Sequence, residues 1–209
     1  MTAQSVLTGD IVNSTKLHAA KEKKLTNMLT DLFISRNCKI EFFRGDSFQA
    51  YTREPGGALR LALLSRVAAI SFSKGEKIIL SDIRISIGIG TVKTPVKTLK
   101  TAKGEAFILS GRKFDEIAKT WQRLAIVSSN PLANEGFQVI ADYLNVIFGA
   151  MTGKQAEVIL ELLKGESQKA VARKFRKTKS TIHQRITSGR WPEIERLLEH
   201  YENIVKIIA

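Results

Sequence analysis

The sequence predicts an α+β protein built in two units: a ferredoxin-like βαββαβ sheet over residues 1–150 and a small all-α unit over residues 151–209. Three observations carry this. Ile83, Ile85, Ile87 and Ile89 alternate with smaller or polar residues, the period of a strand with one buried face. The remaining apolar patterns run in the order β-α-β-β-α-β and then α-β-α, which is the order of a split βαβ sheet with an appendage. After Gly149 the strand signals stop: Met151-Thr152-Gly153 breaks the pattern, and from Lys154 the chain reads as helical and basic.

Val6 and Leu7 read as a strand that runs into Thr8-Gly9-Asp10-Ile11-Val12-Asn13-Ser14-Thr15. Asn13, Ser14 and Thr15 are residue types that cap a helix, so this stretch predicts strand, tight turn and helix start, with a carboxylate at the end of the strand. The amides of Ile11, Val12, Asn13, Ser14 and Thr15 would then form a helix N-terminus able to hold phosphate. Leu17, Leu25, Met28, Leu29, Leu32 and Phe33 give a helical stripe over residues 15–36. Ile40 to Phe43, the turn Arg44-Gly45-Asp46-Ser47, and Phe48 to Tyr51 read as a hairpin. Pro55 and Gly56-Gly57 open a second helix through Ala68, and Ile83 to Val92 form the alternating strand. A basic loop around Pro95 carries Lys93, Lys97, Lys100 and Lys103, and then come a helix over 104–119 and a short strand from Leu124 to Val127. Asn130-Pro131 starts a helix running to about Phe148.

Composition narrows the function classes. The chain has 209 residues, 44% apolar and 25% charged, enough to bury a real core. Its net charge of +13 favours polyanionic partners: nucleic acid, nucleotides or an anionic surface. No apolar run is long enough to span a membrane. Met1-Thr2-Ala3-Gln4-Ser5 has neither the charged nor the apolar region of a secretory signal. Cys38 is the one cysteine, so no internal disulfide forms and a cytoplasmic setting is expected. His18, His183 and His200 are scattered, which argues against zinc.

In the C-terminal unit, residues 152–164 read as a helix that Gly165 ends, and Ser167 caps a short one containing Ala170, Val171, Ala172 and Phe175. The basic turn Arg176-Lys177-Thr178 leads into a third helix from Lys179 to about Ser188, and Trp191-Pro192 opens the last. Two short helices joined by a tight turn follow the helix-turn-helix plan. Lys174, Arg176, Lys177 and Lys179 suit phosphates, while Ser180, Thr181, His183, Gln184 and Arg185 stand on the exposed helix, with Ser180, Gln184 and Arg185 able to reach base edges. Residues 151–209 hold 12 Lys and Arg against 7 Asp and Glu, and six of those cations fall between Lys169 and Lys179. The alternative is a small helical bundle used for protein contacts. The segment from Ser167 to Phe175, followed by Ser180-Thr181-Ile182, resembles the fourth region of sigma factors, with two departures: Arg176 stands at a turn position that is usually Gly and Lys177 at one that is usually apolar.

Three N-terminal segments together resemble the class III nucleotide cyclase domain. Asp10-Ile11 with Ser14-Thr15 is similar to its first metal-binding segment, and Gly45-Asp46 to its second. Arg84-Ile85-Ser86-Ile87-Gly88-Ile89-Gly90, then Gly104-Glu105-Ala106-Phe107 and on to Arg112, is similar to its last strand pair and helix. The SatD family, with its Gly-Asp-Ile-Val start and helix-turn-helix tail, resembles the chain more closely still. Both resemblances imply Asp10 and Asp46 as two metal carboxylates, Mg²⁺ as the ion and Arg112 as a phosphate contact. Read without them, Asp46 is an ordinary hairpin residue and Arg112 a partner for Asp115 or Glu116. Phe42 stands where cyclases select the purine with a lysine, and Ile108 where they hold the transition state with an asparagine. Neither side chain can hydrogen-bond a base or orient a ribose, so cyclase turnover is not expected.

These readings combine into a cytoplasmic, bacterial DNA-binding regulatory protein that binds duplex DNA. Its first unit dimerises, as operator symmetry and the cyclase resemblance imply, or senses a phosphorylated small molecule. The alternative is a metal-dependent nucleotide cyclase or nucleotidyl transferase.

Overall fold

A computed structural model of the chain describes residues 3–43, 45–75 and 79–208. Arg44 of the expected hairpin turn lies outside the described residues. The elements are β1 (Gln4–Val12), α1 (Ala19–Ile34), β2 (Lys39–Phe43), β3 (Ser47–Thr52), α2 (Ala58–Ser71), β4 (Asp82–Gly90), α3 (Glu105–Ile117), β5 (Leu124–Ser128), α4 (Pro131–Gly149), α5 (Gly153–Leu163), α6 (Gln168–Phe175), α7 (Lys179–Ser188) and α8 (Trp191–Ile208). The strands lie in the order β2-β3-β1-β4-β5. β1 is antiparallel to both β3 and β4, β2 is antiparallel to β3, and β5 joins β4 in parallel. The first four strands with α1 and α2 form the expected ferredoxin-like α+β arrangement, and α3 with β5 adds a crossover at one edge.

Alternation sorts the side chains between two faces. Leu7, Ile11, Phe48, Ala50 and the four isoleucines of β4 pack against α1, α2 and α4, in a core that continues without a break into α5–α8. Val6 and Tyr51 point the other way, to Val92, Val96, Leu99 and Ala106. On that side α3 approaches so closely that a Cβ at Gly88 would collide with the Ala106 carbonyl and lie 2.6 Å from the Ser110 nitrogen.

α2 is buried along nearly its whole length, because the sheet covers one side and α5 the other. Within it Arg66 is 1% exposed and binds the Asp82 carboxylate with both Nε (3.1 Å) and Nη2 (2.7 Å). Its guanidinium also lies 4.8 Å from the centre of the Phe148 ring. The last helices dock with similar closeness. A Cβ at Gly153 would sit 2.6 Å from the Lys74 nitrogen. Tyr201 of α8 donates its phenol O–H to the Pro55 carbonyl at 2.8 Å.

One expectation is corrected at the N-terminus. Asn13, Ser14 and Thr15 do not cap α1, which begins at Ala19 with His18 at its cap position and no side-chain cap bond. Asn13 takes a left-handed conformation (φ 61°), and Ser14–Lys16 wind into a short 3-10 turn. β1 runs on to Val12 because β4 offers partners that far, so Thr8 to Val12 is strand and not turn. Elsewhere the caps match their residue types: Asn130, Thr152, Ser167 and Thr178 each accept a bond from the backbone of the helix they precede. Among the described residues no helix is long and apolar enough to cross a membrane.

Candidate functional site

Asp10 and Asp46 meet at one end of the sheet. Asp10 pairs across the ladders with Ser47 on one side and Arg84 on the other. Its parity places it on the α3-facing side with Thr8, whose hydroxyl lies 3.0 Å from that of Ser110. The hairpin turn is tied back onto β1, since the Ile11 N–H donates to the Asp46 carbonyl at 3.0 Å. Ser14 Oγ donates to Asp46 Oδ2 at 2.8 Å, and Ser47 Oγ to Asp46 Oδ1 at 3.4 Å. Arg84 Nη1 holds Asp10 Oδ2 at 3.0 Å, while Asp10 Oδ1 and Arg84 Nε are buried and have no partner among the described residues.

The electrostatics follow from this crowding. Burial pushes the Asp10 carboxyl above its ordinary range; the Arg84 charge opposes the rise and the Asp46 charge adds to it. Burial also lowers the Arg123 guanidinium, and Arg84 lowers it further. Two carboxylates and two guanidiniums thus share one end of the sheet. The donor set suits a hard cation. Mg²⁺ takes one or two carboxylates and fills the rest of its shell with water and substrate phosphate, and the orphaned Asp10 Oδ1 beside Asp46 is an oxygen of that kind. Among the described residues no group of three His, Cys, Asp or Glu could hold a metal alone.

The other residues expected at this site are placed less favourably. Because α1 begins at Ala19, Ile11 to Thr15 are not the N-terminus of an α-helix; Ser14 and Thr15 open only a short 3-10 turn. The Ile11 amide is engaged by Asp46, and Val12 belongs to β1. Ser14 serves the site through its hydroxyl. Arg112 stands on the exposed side of α3, lining a groove of about 970 Å³ with Lys93, Lys103, Glu105 and Ile108, and is not among the charges acting on Asp10. It does not pair with Asp115 or Glu116 among the described residues; Glu116 is held by Lys113 at 2.9 Å. Phe42 packs its ring 5.5 Å from that of Phe48, on the helix-covered face, and Ile108 is 55% exposed. Nothing in the sequence marks Arg123 or the Thr8–Ser110 pair, and Arg84 stands out there only as part of a resemblance. The signal for Arg84 was present in its polar parity among the β4 isoleucines, but only the β1–β4 register places it opposite Asp10.

A second cluster lies on α6 and α7. Arg176 ends α6 in the left-handed conformation (φ 50°), the backbone shape for which that turn usually employs Gly. Thr178 caps α7 by accepting from the Thr181 N–H. Ile182 and Ile186 anchor α7 to the core, leaving Lys179, Ser180, His183 and Gln184 exposed and Thr181 and Arg185 partly exposed. Among the described residues the side chains of Arg176, Lys177, Lys179, His183, Gln184 and Arg185 have no hydrogen-bond or ion-pair partner. Lys174 differs: its ammonium is held by Glu161 of α5 at 2.5 Å.

No family model matches the chain, and no curated protein matches it. Among solved structures it is similar to a bacterial light-regulated adenylyl cyclase (16% identity over 60% of this chain and 75% of that one, TM-score 0.42). It is similar to the adenylyl cyclase CyaB from P. aeruginosa (16%, 55% and 71%, TM-score 0.41). It is similar also to the guanylyl cyclase Cya2 (18%, 59% and 74%, TM-score 0.38). At these scores the likeness assigns no activity.

Proposed function

We propose that the chain is a cytoplasmic DNA-binding regulator of the SatD type, reading duplex DNA through α7 and taking a phosphorylated small molecule with Mg²⁺ at Asp10 and Asp46. The observation that carries the DNA reading is the outward side of α7. A strongly basic protein leaves a row of donors there with no partner among the described residues, on a helix fixed in place by Ile182 and Ile186. In this reading the units divide near residue 150. Ser180, Gln184 and Arg185 reach base edges, Arg176, Lys177 and Lys179 take phosphates, and Thr181 and His183 flank them. Lys174, held by Glu161, contributes to the field more than to a direct contact. At the sheet end Asp10 and Asp46 hold the ion, which supplies charge neutralisation for the phosphate, and Ser14 keeps Asp46 oriented.

Selection of bound fragments from random duplex DNA, followed by salt titration of the enriched sequence, tests the reading. The expected result is one enriched site whose affinity falls steeply with salt. Arg185→Ala is expected to weaken it by about 1–3 kcal/mol and to relax one base position. A pool without an enriched site, or a preference for RNA, overturns the reading. Conversion of a nucleoside triphosphate by the purified chain would replace it with the enzymatic alternative.

A further inference from the structure

α4 carries an apolar stripe that no described residue covers. Leu132 is 83% exposed, Val139 69%, Val146 61% and Tyr143 45%. The opposite side of the helix, with Phe137, Ile140, Leu144 and Phe148, is buried in the core. Single exposed apolar residues are ordinary, but an aligned row on one helix marks an interaction surface.

Two properties of the stripe identify what covers it. The first is charge. The protein carries +13, yet α4 from Pro131 to Gly149 contains no Lys, Arg or His, only Glu135 and Asp142. Two copies of so basic a chain repel wherever cations meet, and α4 is a long, exposed surface where they do not meet. The second is symmetry. About Val139 four of the exposed positions fall at equal and opposite offsets, Leu132 and Val146 seven residues away and Glu135 and Tyr143 four residues away, while exposed Gln138 and Asp142 lie outside that pattern. A helix with that spacing is complementary to an antiparallel copy of itself.

We infer that α4 is a homodimer interface in which two antiparallel copies cross at Val139 about a two-fold axis. Val139 meets the partner's Val139, Leu132 meets the partner's Val146, and Glu135 accepts a hydrogen bond from the partner's Tyr143 phenol. Such an interface is isologous, closed and small, and so gives a weak, concentration-dependent dimer. α4 packs on α8, which packs on α7, so the same axis relates the two α7 helices.

Cysteine cross-linking of the full chain tests the geometry, with little background because Cys38 is buried. Under mild oxidation Val139→Cys is expected to form a covalent dimer in high yield. Leu132→Cys alone is expected not to, since its two copies lie about 21 Å apart along the helices. The double variant Leu132→Cys/Val146→Cys is expected to cross-link again. In sedimentation equilibrium Val139→Lys is expected to weaken dimerisation by about 30-fold or more, the effect of disrupting a central contact, with an unchanged circular dichroism spectrum. A chain that stays monomeric, or Val139→Cys chains that stay uncross-linked, overturns the inference. Neither result bears on whether α7 binds DNA, which is read separately by fragment selection.

Discussion

The sheet end and the α6–α7 edge carry similar chemistry with opposite fates. At the sheet end charge meets charge within the chain: Arg66 grips Asp82, and Arg84 holds Asp10. On α7 the cations and the Gln184 amide have no partner among the described residues. Charges matched internally hold a fold in one arrangement, while charges left unmatched on a fixed helix are available to another molecule. Two side chains blur the division. Asp10 keeps a buried oxygen that no described residue engages, and Lys174, on the basic edge, is bound by Glu161.

The largest expected effect lies on the matched side. Arg66→Ala leaves the Asp82 carboxylate without its bidentate partner and opens a void against Phe148. Removing one member of so buried a pair is expected to cost about 3–5 kcal/mol, read as a lower midpoint in urea. A loss below about 1 kcal/mol would mean that this pair behaves like a surface contact and would erase the contrast between the two regions.

A smaller effect tests the exception on the basic edge. Burial pushes the Glu161 carboxyl up, but the bonds from Lys174 and Lys164 outweigh it and hold the group below its ordinary value. A depressed carboxyl contributes stability above its unfolded value of about 4.3, and the contribution is lost as pH falls through the lower folded value. Both lysines are substantially exposed, so Glu161→Gln is expected to cost only about 0.5–1 kcal/mol at neutral pH. The variant should lack that acid-side loss. It also frees Lys174, so the salt dependence of DNA binding is expected to steepen by no more than about one phosphate contact.

Local chemistry was legible in the sequence wherever one segment contained all of it. The caps at Asn130 and Ser167, the alternation of β4 and the limits of α7 all follow from neighbouring residues. The sequence misplaces the start of α1 because three good capping residues stand in a row, while Asp46, on another element, engages the Ser14 hydroxyl. Asp10 and Asp46 were found as a pair, but Arg84 opposite Asp10 depends on a ladder between strands more than 70 residues apart. The same holds for Arg66, which reads in sequence as one polar position on an apolar helix and gains its role only when β4 and α4 close around it.

The smallest effect falls on the residue that unites both halves of the comparison. Asp10→Asn keeps an oxygen for Arg84 to bind and removes the charge that burial and Asp46 both disfavour, so its net cost at neutral pH is expected to be about 1 kcal/mol or less. The sign of its pH dependence is the informative part. A carboxyl raised in the folded state imposes no penalty below its unfolded value of about 3.9, and a growing one as pH rises through the folded value. The variant does not titrate there, so its stability relative to the natural chain should improve across that window. A difference that stays flat would show that Arg84 neutralises Asp10 fully and leaves no incentive for a cation to bind. Melting with Mg²⁺ and each nucleoside triphosphate completes the test: a ligand that binds the folded chain raises its melting temperature, and the rise should appear in the natural chain and vanish in Asp10→Asn.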